Sequence, residues 1–326
     1  MKAVLCKKLG GPEDLVVEDV PSPVPGPGQV LVTVKAAGVN FPDTLIIQGK
    51  YQFKPEPPFS PGGEAAGVVK AVGDGVTSCK PGDRVIAAAT WGGYAQEMIA
   101  EADRLIPMPD SMDFVPASAF VLTYGTSYHA LKDRANLRSG ETLLVLGASG
   151  GVGLSAVQIG KAMGARVIAA ASSDEKLRIC RENGADEVIN YATEDLRARV
   201  KQLTAGKGID VVYDPVGGPF SELAIRDMAW NGRFLVVGFA AGDIPKIPLN
   251  LALLKGCAIV GVFWGAFTRN EPERNRQNNL ELLDLFVQGR VKPHIHATYP
   301  LERAADALND MLNKRVSGKA VLVTGA

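Results

Sequence analysis

Residues 141–158 read ETLLVLGASGGVGLSAVQ. The run from Leu143 to Leu146 is wholly apolar, which is typical of a short strand buried on both faces of a parallel sheet. A glycine-rich turn follows it, and the small residues of 154–162 then predict a helix. Strand, turn and helix in this order are the context that a dinucleotide-binding fingerprint requires. We therefore expect a nucleotide-binding sheet in the second half of the chain.

The turn departs from a strict G-x-G-x-x-G pattern, because Ala148 stands at its first glycine position. Gly150 permits close approach of a pyrophosphate to the backbone, and Gly153 permits tight packing of the helix. The free N–H groups at the helix start would face that pyrophosphate. Plain strand-to-helix connections also contain such glycines, and the flanking strand and helix are what favour nucleotide binding. The residues expected at the pyrophosphate are Ser149, Gly150, Gly151 and Val152.

Five further strand candidates follow, separated by helical patterns. They are 166–171, 187–191, 209–214, 232–238 and 257–263. Alternating strands and helices at this spacing predict right-handed crossovers and a doubly wound parallel sheet. The glycine-containing strand ends at Gly217, Gly238 and Phe239 should bring backbone to the crevice that receives the nicotinamide, although ordinary turns would have the same composition.

Composition excludes several classes of protein. Thirty-five basic residues balance thirty-five acidic ones among 326 residues, which gives no electrostatic footprint for nucleic acid or an anionic membrane. No apolar run reaches the roughly 18–20 residues that span a bilayer. The first residues lack the pattern of a signal peptide, so we expect a cytoplasmic protein. The four cysteines are far apart, which suits neither a zinc site nor disulfides and favours free thiols.

The first hundred residues are rich in Gly, Pro and short β-like runs, which predicts a small barrel-like β domain. A short helix should interrupt it at 42–48. The polar stretch 268–279 predicts an exposed loop that leads into a helix at 280–288. A final strand at 320–324 should complete the first domain. These patterns divide the chain into a first domain of 1–120 with 266–326 and a nucleotide domain of 121–265.

Several segments together resemble a known family. They are AGVNFPD at 37–43, IQGKY at 47–51, PFSPGGEAAGVV at 58–69, GDRV at 82–85, GGYA at 92–95 and the glycine turn. Nearly the whole chain resembles the zinc-independent NADPH:quinone oxidoreductase (ζ-crystallin-like) branch of the medium-chain dehydrogenase/reductase superfamily. The resemblance implies an α/β protein with a GroES-like β-barrel catalytic domain and a Rossmann doubly wound parallel six-stranded sheet. It also implies a homodimer that forms through the edge strand 258–264.

The chain differs from the zinc alcohol dehydrogenases of the same superfamily at the positions of their metal ligands. Those relatives place a cysteine ligand where this chain has Asn40 and a histidine ligand where it has Gly63. A catalytic zinc ion needs about three N, S or O ligands and an open fourth position. His294 and His296 share one face of a strand, but no cysteine or carboxylate accompanies them. We therefore expect no zinc or other metal.

Three residues are candidates for catalysis. The resemblance puts Asn40 and Thr126 beside the nicotinamide, although Asn40 also suits a turn that satisfies local backbone. The phenol of Tyr51 can donate a hydrogen bond or a proton to a carbonyl or enolate oxygen, or its ring can simply cover the barrel mouth. His129 follows Thr126 on the same predicted helix, and we expect it to be a packing residue.

The end of the second strand of the nucleotide domain determines the cofactor. NAD enzymes usually carry an Asp or Glu there, whereas this chain has Ala171. Ser172, Ser173 and Lys176 follow and would receive a 2′-phosphate through charge-assisted hydrogen bonds. The resemblance adds Tyr191 at the same end of the cofactor. An acidic pair at a helix start beside a solvated lysine would read the same way, but the pattern favours NADPH.

The expected function is reduction of a quinone or related activated carbonyl by hydride from NADPH, without metal. Two alternatives stay open. Relatives that reduce 2-enoyl thioesters share the Ile-Gln-Gly-x-Tyr pattern at 47–51, so an enone or enoyl substrate is possible. A protein that binds NADPH without catalysis is the other alternative.

Overall fold

The computed structural model describes residues 1–325, which form two compact units. The first unit comprises residues 1–122 and the segment that starts at 293, and the second comprises residues 123–292. The sequence pattern places the return to the first domain at 266. The segment 266–292 is therefore where the two divisions differ, and its helices pack within the second unit.

The strands are β1 (Lys2–Leu5), β2 (Val16–Asp19), β3 (Gln29–Gly38), β4 (Glu64–Val72), β5 (Arg84–Ala88), β6 (Glu97–Glu101), β7 (Leu105–Pro107), β8 (Thr142–Leu146), β9 (Arg166–Ala171), β10 (Glu187–Asn190), β11 (Ile209–Asp214), β12 (Met228–Val236), β13 (Ala258–Gly261), β14 (Ile295–Pro300) and β15 (Lys319–Val323). The helices are α1 (Phe41–Ile46), α2 (Phe114–Ala117), α3 (Val121–Tyr128), α4 (Gly151–Ala162), α5 (Asp174–Glu182), α6 (Leu196–Leu203), α7 (Pro219–Arg226), α8 (Asn250–Lys255), α9 (Trp264–Asn270), α10 (Pro272–Val287) and α11 (Ala304–Leu312). A π-helical segment, His129–Arg134, continues α3. Among the helices of residues 1–325, none has both the length and the apolar content needed to cross a bilayer.

A seven-stranded sheet forms the body of the first unit. Its order is β14-β15-β3-β4-β5-β7, and β6 also pairs with β3. Neighbouring strands are antiparallel except for β14 and β15, which run parallel. Inward-facing apolar residues of β3, β4 and β5 form one core with residues of α11 and β15. The small barrel-like β domain predicted for the first hundred residues is confirmed.

Six parallel strands form the sheet of the second unit, in the order β10-β9-β8-β11-β12-β13. The order reverses at β8, which pairs with β9 on one side and with β11 on the other. The predicted doubly wound six-stranded sheet is therefore confirmed. Leu143–Leu146 are almost inaccessible to solvent, as expected of a strand covered on both faces. The carboxyl ends of all six strands lie at one edge, which is where such sheets bind ligands.

The polar stretch 268–279 is helical, so the prediction of an exposed loop is wrong. Helix α10 begins at Pro272, whose fixed φ suits the first helical position. Most polar side chains of 272–277 are exposed, but Asn278 and Asn279 face inward. The Asn278 amide nitrogen donates to Asp133 Oδ2 at 2.8 Å, and its oxygen accepts from Lys132 Nζ at 3.0 Å. Inward-facing residues of this kind produce no apolar periodicity, which is why the sequence pattern favoured a loop.

Candidate nucleotide site and candidate active site

The turn between β8 and α4 is built to receive an anion. Gly147 turns the chain with a φ of 57°. The Ala148 N–H then donates to the Ala170 carbonyl oxygen at 3.0 Å, which fastens the turn to β9. The first N–H groups of α4 have no intrahelical carbonyl to bond. These groups and the positive end of the helix dipole favour a negatively charged group beyond Gly150.

The two glycines of the fingerprint have different surroundings. A Cβ on Gly153 would lie 2.4 Å from the Gly147 carbonyl oxygen, whereas one on Gly150 would meet nothing closer than 3.5 Å. Close packing of the helix therefore requires Gly153, and the space over Gly150 is open. Ser149 is buried beside this space, and Val152 is half-buried in the first turn of α4.

Tyr191 and Ser172 lie together where β9 and β10 end. The Ser172 side chain is exposed, and its hydroxyl hydrogen-bonds the Tyr191 phenol. Burial raises the pKa of Tyr191, so its phenol stays protonated at neutral pH. The Tyr191 ring also packs on Phe220, with ring centroids 4.5 Å apart. An aromatic face and two hydroxyl groups are thus present at the end where the adenosine of a dinucleotide is expected.

The start of α5 provides the remaining polar groups of this end. The Ser173 hydroxyl accepts from the Lys176 N–H at 3.4 Å and so caps the helix. The Asp174 carboxylate accepts from the Asn190 amide nitrogen at 2.8 Å, which keeps it engaged with β10. Lys176 lies half-buried in the first turn of the same helix. The predicted residues Ser172, Ser173, Lys176 and Tyr191 therefore share one edge of the second unit.

Asp214 organises the loop after β11, although it was not among the residues predicted to form a site. Its carboxylate is buried and accepts the N–H groups of Val216 at 2.8 Å and Gly217 at 2.9 Å. The Ser221 hydroxyl donates to the other carboxylate oxygen at 2.6 Å. An aspartate at a strand end followed by Pro-Val-Gly-Gly is the signal that would have identified this turn.

Gly238 and Phe239 lie against the Asp214 loop. The Ala240 N–H donates to the Pro215 carbonyl oxygen at 3.1 Å. A Cβ on Gly217 would lie 3.0 Å from the Phe239 ring. Phe239 itself is 38% exposed, so its ring borders the carboxyl edge of the sheet. The loops predicted to meet the nicotinamide therefore contact each other.

Helix α3 is tied to α4 by buried hydroxyl groups. The Ser127 hydroxyl lies 2.8 Å from the hydroxyls of both Ser155 and Tyr213, and it donates to the Val152 carbonyl oxygen at 2.9 Å. Thr126 is the next residue on α3 and is partly exposed. The position of Thr126 is thus fixed relative to the turn that is expected to bind the pyrophosphate.

His129 is buried at the start of the π-helical segment. Its ring stacks on Phe267 with centroids 3.8 Å apart, and its Nδ1 lies 2.8 Å from Asp133 Oδ2. These contacts agree with the expected packing role.

In the first unit, Asn40 belongs to a buried polar network. Its side-chain oxygen accepts from Lys319 Nζ, and its amide nitrogen donates to Gly38 O and Glu64 Oε2, both at 3.3 Å. Lys319 Nζ also lies 3.4 Å from Glu64 Oε2. The other Glu64 oxygen accepts the Leu122 N–H at 2.9 Å. The amide of Asn40 is therefore held by partners at both ends, and the residue is only 3% exposed.

Asp43 extends this network to Tyr94, and its charge also acts on Tyr51. The Asp43 Oδ2 atom accepts the Asn40 N–H and the Tyr94 hydroxyl, both at 2.8 Å. Burial raises the pKa of Asp43 to about 6, although both hydrogen bonds and the charge of Lys319 oppose the shift. Tyr51 is half-buried beside Phe53, with ring centroids 5.9 Å apart. Burial also raises the pKa of Tyr51, and the charge of Asp43 adds to the shift.

The residues at the expected metal position do not fit a catalytic zinc ion. Gly63 has no side chain, and the Asn40 amide is engaged by Lys319 and Glu64. Zinc sites of this kind are built from thiolate, imidazole and carboxylate ligands. Within residues 1–325, no group of three or more His, Cys, Asp or Glu side chains is placed to hold a metal ion.

The network residues Asp43, Glu64 and Lys319 were missed as functional candidates. Glu64 begins a strand whose following residues are apolar, and Lys319 precedes the apolar run Ala320–Val323. A charged residue at the end of an otherwise buried strand is the signal that would have singled them out.

Two family models match the chain. One is the alcohol dehydrogenase GroES-like domain, over residues 26–110, and the other is the zinc-binding dehydrogenase model, over residues 151–283.

Full-length relatives also match. The chain is 42% identical to a quinone oxidoreductase-like protein 2 homolog from Nematostella vectensis, over 99% of this chain and 89% of that protein. It is 37% identical to the quinone oxidoreductase of Rattus norvegicus, over 98% of this chain and 95% of that protein. The crystal structure of Escherichia coli quinone oxidoreductase complexed with NADPH superposes with a TM-score of 0.92 at 31% identity, over 99% of this chain and 100% of that one.

The different surroundings of the two fingerprint glycines predict different effects of adding a methyl group. Gly150→Ala should leave the melting temperature of the ligand-free protein unchanged and weaken NADPH binding by about tenfold or more, because the methyl fills the space expected for the pyrophosphate. Gly153→Ala should lower the melting temperature, since overpacking typically costs about 1–3 kcal/mol. Calorimetry measures the melting temperatures, and titration with NADPH followed by fluorescence measures the affinities. Equal NADPH affinity in wild type and Gly150→Ala would contradict a pyrophosphate at this turn.

Proposed function

The chain belongs to the quinone oxidoreductase family of the medium-chain dehydrogenases/reductases, and from this premise we propose that it reduces quinones or related activated carbonyls with NADPH, without metal. The observation that carries the proposal is the full-length match to quinone oxidoreductases, one of them complexed with NADPH. The open space over Gly150 and the polar groups at the ends of β9 and β10 support the cofactor. The half-buried phenol of Tyr51 supports the chemistry.

We assign proton donation to Tyr51. NADPH, when bound, supplies the hydride. A quinone that gains a hydride and a proton becomes a hydroquinone, so the chain must direct one proton toward a carbonyl oxygen. A tyrosine phenol is protonated at neutral pH, and the upward shift of the Tyr51 pKa by burial leaves it so. It can therefore donate a hydrogen bond to that oxygen. Because the developing charge is delocalised over the quinone ring, one such donor suffices.

Thr126 and Asn40 have different proposed roles. Thr126 is partly exposed on α3 and is assigned to the nicotinamide. Asn40 is held by Lys319 and Glu64, so what it offers is a preorganised amide with one remaining oxygen lone pair.

The proposed cofactor is NADPH rather than NADH. The strand end at Ala171 carries no carboxylate, and the Asp174 carboxylate is engaged by Asn190. The Ser172 hydroxyl, the Tyr191 phenol and Lys176 are the groups assigned to the 2′-phosphate. Each can donate a hydrogen bond to a dianion, and Lys176 adds a positive charge.

A 2-enoyl thioester is the second candidate substrate. The Ile-Gln-Gly-Lys-Tyr sequence at 47–51 favours it, since it matches the pattern of the relatives that reduce such compounds. In that reaction the same phenol would protonate an enolate. Reduction of an enoyl thioester depends more on a proton donor than reduction of a quinone does.

The proposed assembly is a homodimer through the edge strand β13 and the segment 258–264. β13 pairs with β12 on one side only, and an uncovered apolar edge is a liability for a soluble protein. Large apolar side chains are exposed on this strand and elsewhere in the same unit, which supports a covered surface. They are Trp230, Ile244, Leu249, Leu253, Leu254, Ile259 and Phe263.

The substrate class is tested by NADPH consumption with ortho- and para-quinones beside crotonyl-CoA. We expect turnover of quinone and none of the thioester. Tyr51→Phe should lower quinone turnover by about tenfold, below the 10²–10⁴ typical of full acid catalysis because quinones need little assistance. Tyr299→Phe removes a phenol that bonds Asp310 at 2.7 Å and serves as the matched control with unchanged rates. Thioester turnover that is lost in Tyr51→Phe would favour the second candidate, and tight NADPH binding with neither activity would refute both.

The cofactor assignment is tested by Lys176→Glu. The change should raise the KM for NADPH by about tenfold or more and leave that for NADH nearly unchanged, because only NADPH carries the 2′-phosphate. Arg178→Glu, on the exposed face of the same helix, is the matched control and should alter neither value. Equal increases for both cofactors would contradict the assignment of Lys176.

The assembly is tested by light scattering coupled to size exclusion. Wild type should elute with the mass of two 34.4 kDa chains. Leu253→Glu should yield a folded monomer, since a charge in an apolar interface is costly. Val24→Glu changes another exposed apolar residue, in a loop of the first unit, and should remain dimeric. A monomeric wild type would refute the proposed dimer.

A further inference from the structure

Strand β15 places one lysine, Lys319, inside the first unit, where it contacts Asn40 and Glu64. Lys319 begins β15, and its side chain is 4% exposed although it is charged. Its backbone N–H donates to the His294 carbonyl oxygen at 2.9 Å, which holds it beside β14. Its ammonium bonds the Asn40 side-chain oxygen and lies 3.4 Å from Glu64 Oε2. Buried lysines are rare unless paired, so this placement requires both partners.

The three residues restrict one another. The Asn40 amide accepts from Lys319 at its oxygen and donates to Glu64 at its nitrogen, so only one orientation of the amide satisfies both. The Val39 N–H donates to the Ala320 carbonyl oxygen at 2.9 Å, so the backbones of the two segments also run side by side. The last strand is therefore bonded to the residue that precedes helix α1.

Asn40, which Lys319 bonds, is the residue before helix α1, and Tyr51 follows the turn after that helix. The Asn40 N–H donates to Asp43 Oδ2 at 2.8 Å, which fixes the first turn of α1. After the helix, the Lys50 N–H returns to the Leu45 carbonyl oxygen at 2.9 Å. Tyr51 follows directly. Hydrogen bonds thus join Lys319 to Asn40, Asn40 to Asp43, and Lys50 to Leu45, and Tyr51 is the residue after Lys50.

We propose that Lys319 is a positioning residue for the reduction: its ammonium holds the Asn40 amide in one orientation and thereby fixes α1 and the Tyr51 phenol. The proposal rests on the function proposed above, because it assigns no contact with substrate or cofactor to Lys319. It differs from a purely structural role, in which Lys319 would only neutralise the buried Glu64.

The two roles are separated by a neutral replacement of the ion pair. Lys319→Met alone should lower the melting temperature, because it leaves Glu64 buried without its cation. Lys319→Met combined with Glu64→Gln removes both charges and should recover most of that loss. If Lys319 positions Asn40, the double variant should still show at least a tenfold lower kcat with quinone, an unchanged NADPH affinity and faster amide hydrogen exchange in 41–51. Wild-type kcat and wild-type exchange in the double variant would overturn the proposal.

Two further comparisons complete the test. Asn40→Ala should lower kcat by a similar factor, and adding it to the double variant should lower kcat no further, because both changes break the same connection. Independent, multiplying losses would contradict action through Asn40. The matched control is Arg233→Met with Glu141→Gln, a salt bridge of 2.7 Å in the second unit, which should change the melting temperature but not kcat or exchange in 41–51.

Hydrogen exchange also separates this proposal from the proposed function. If the wild type binds NADPH but turns over neither quinone nor thioester, the proposed function fails. Faster exchange in 41–51 of the double variant would then still support the positioning role, and unchanged exchange would refute it.

Discussion

The first unit depends on a buried ion pair between Lys319 and Glu64, two residues 255 positions apart in the chain. Desolvation of each ion costs several kcal/mol in a protein, and the attraction between them offsets this only when further hydrogen bonds satisfy the remaining atoms. Here the Leu122 N–H and the Asn40 amide provide those bonds. The restraint thus requires the last strand, the start of β4 and the residue before α1 to meet at one point, and it cannot form until the end of the chain has joined the sheet.

The second unit obtains its geometry in another way. Its candidate ligand groups are mostly backbone N–H groups and hydroxyls at the carboxyl edge of a parallel sheet, where strand ends are brought together by the topology itself. Particular residues are needed only where backbone segments or helices approach each other closely. Gly153 allows α4 to pack on the turn, and the buried hydroxyls of Ser127, Ser155 and Tyr213 hold α3 against α4. Neutral hydroxyl groups that satisfy one another carry a smaller desolvation cost than ions.

The different ways in which the two units are held together explain which structural elements the sequence could predict. The sheet of the second unit was evident, because buried parallel strands are apolar runs and the glycine turn is local. The strands of the first unit were evident from turn residues. The second half of α10 was predicted as a helix at 280–288. Its first half was not, because Asn278 faces inward to bond Asp133, and a polar residue gives no sign of its direction. Nor was the role of Lys319, since its partners lie at distant positions and no periodicity links them. Local patterns determine elements, whereas long-range polar contacts are specified only by the assembled fold.

The same long-range contacts determine which hydrogen-bonding groups of Asn40 are already used within the protein. As an isolated residue in a turn it would offer two donors and one acceptor to a ligand, and the family resemblance placed it beside the nicotinamide. In the folded unit both donors are used and the oxygen has one lone pair left. The Glu64 carboxylate cannot lose Lys319 without becoming an unpaired buried charge, and Lys319 cannot move without releasing the Asn40 oxygen. The role proposed for Asn40 therefore depends on its fixed position. The residue of the first unit that is proposed to contact the substrate is instead Tyr51, whose phenol is only half-buried.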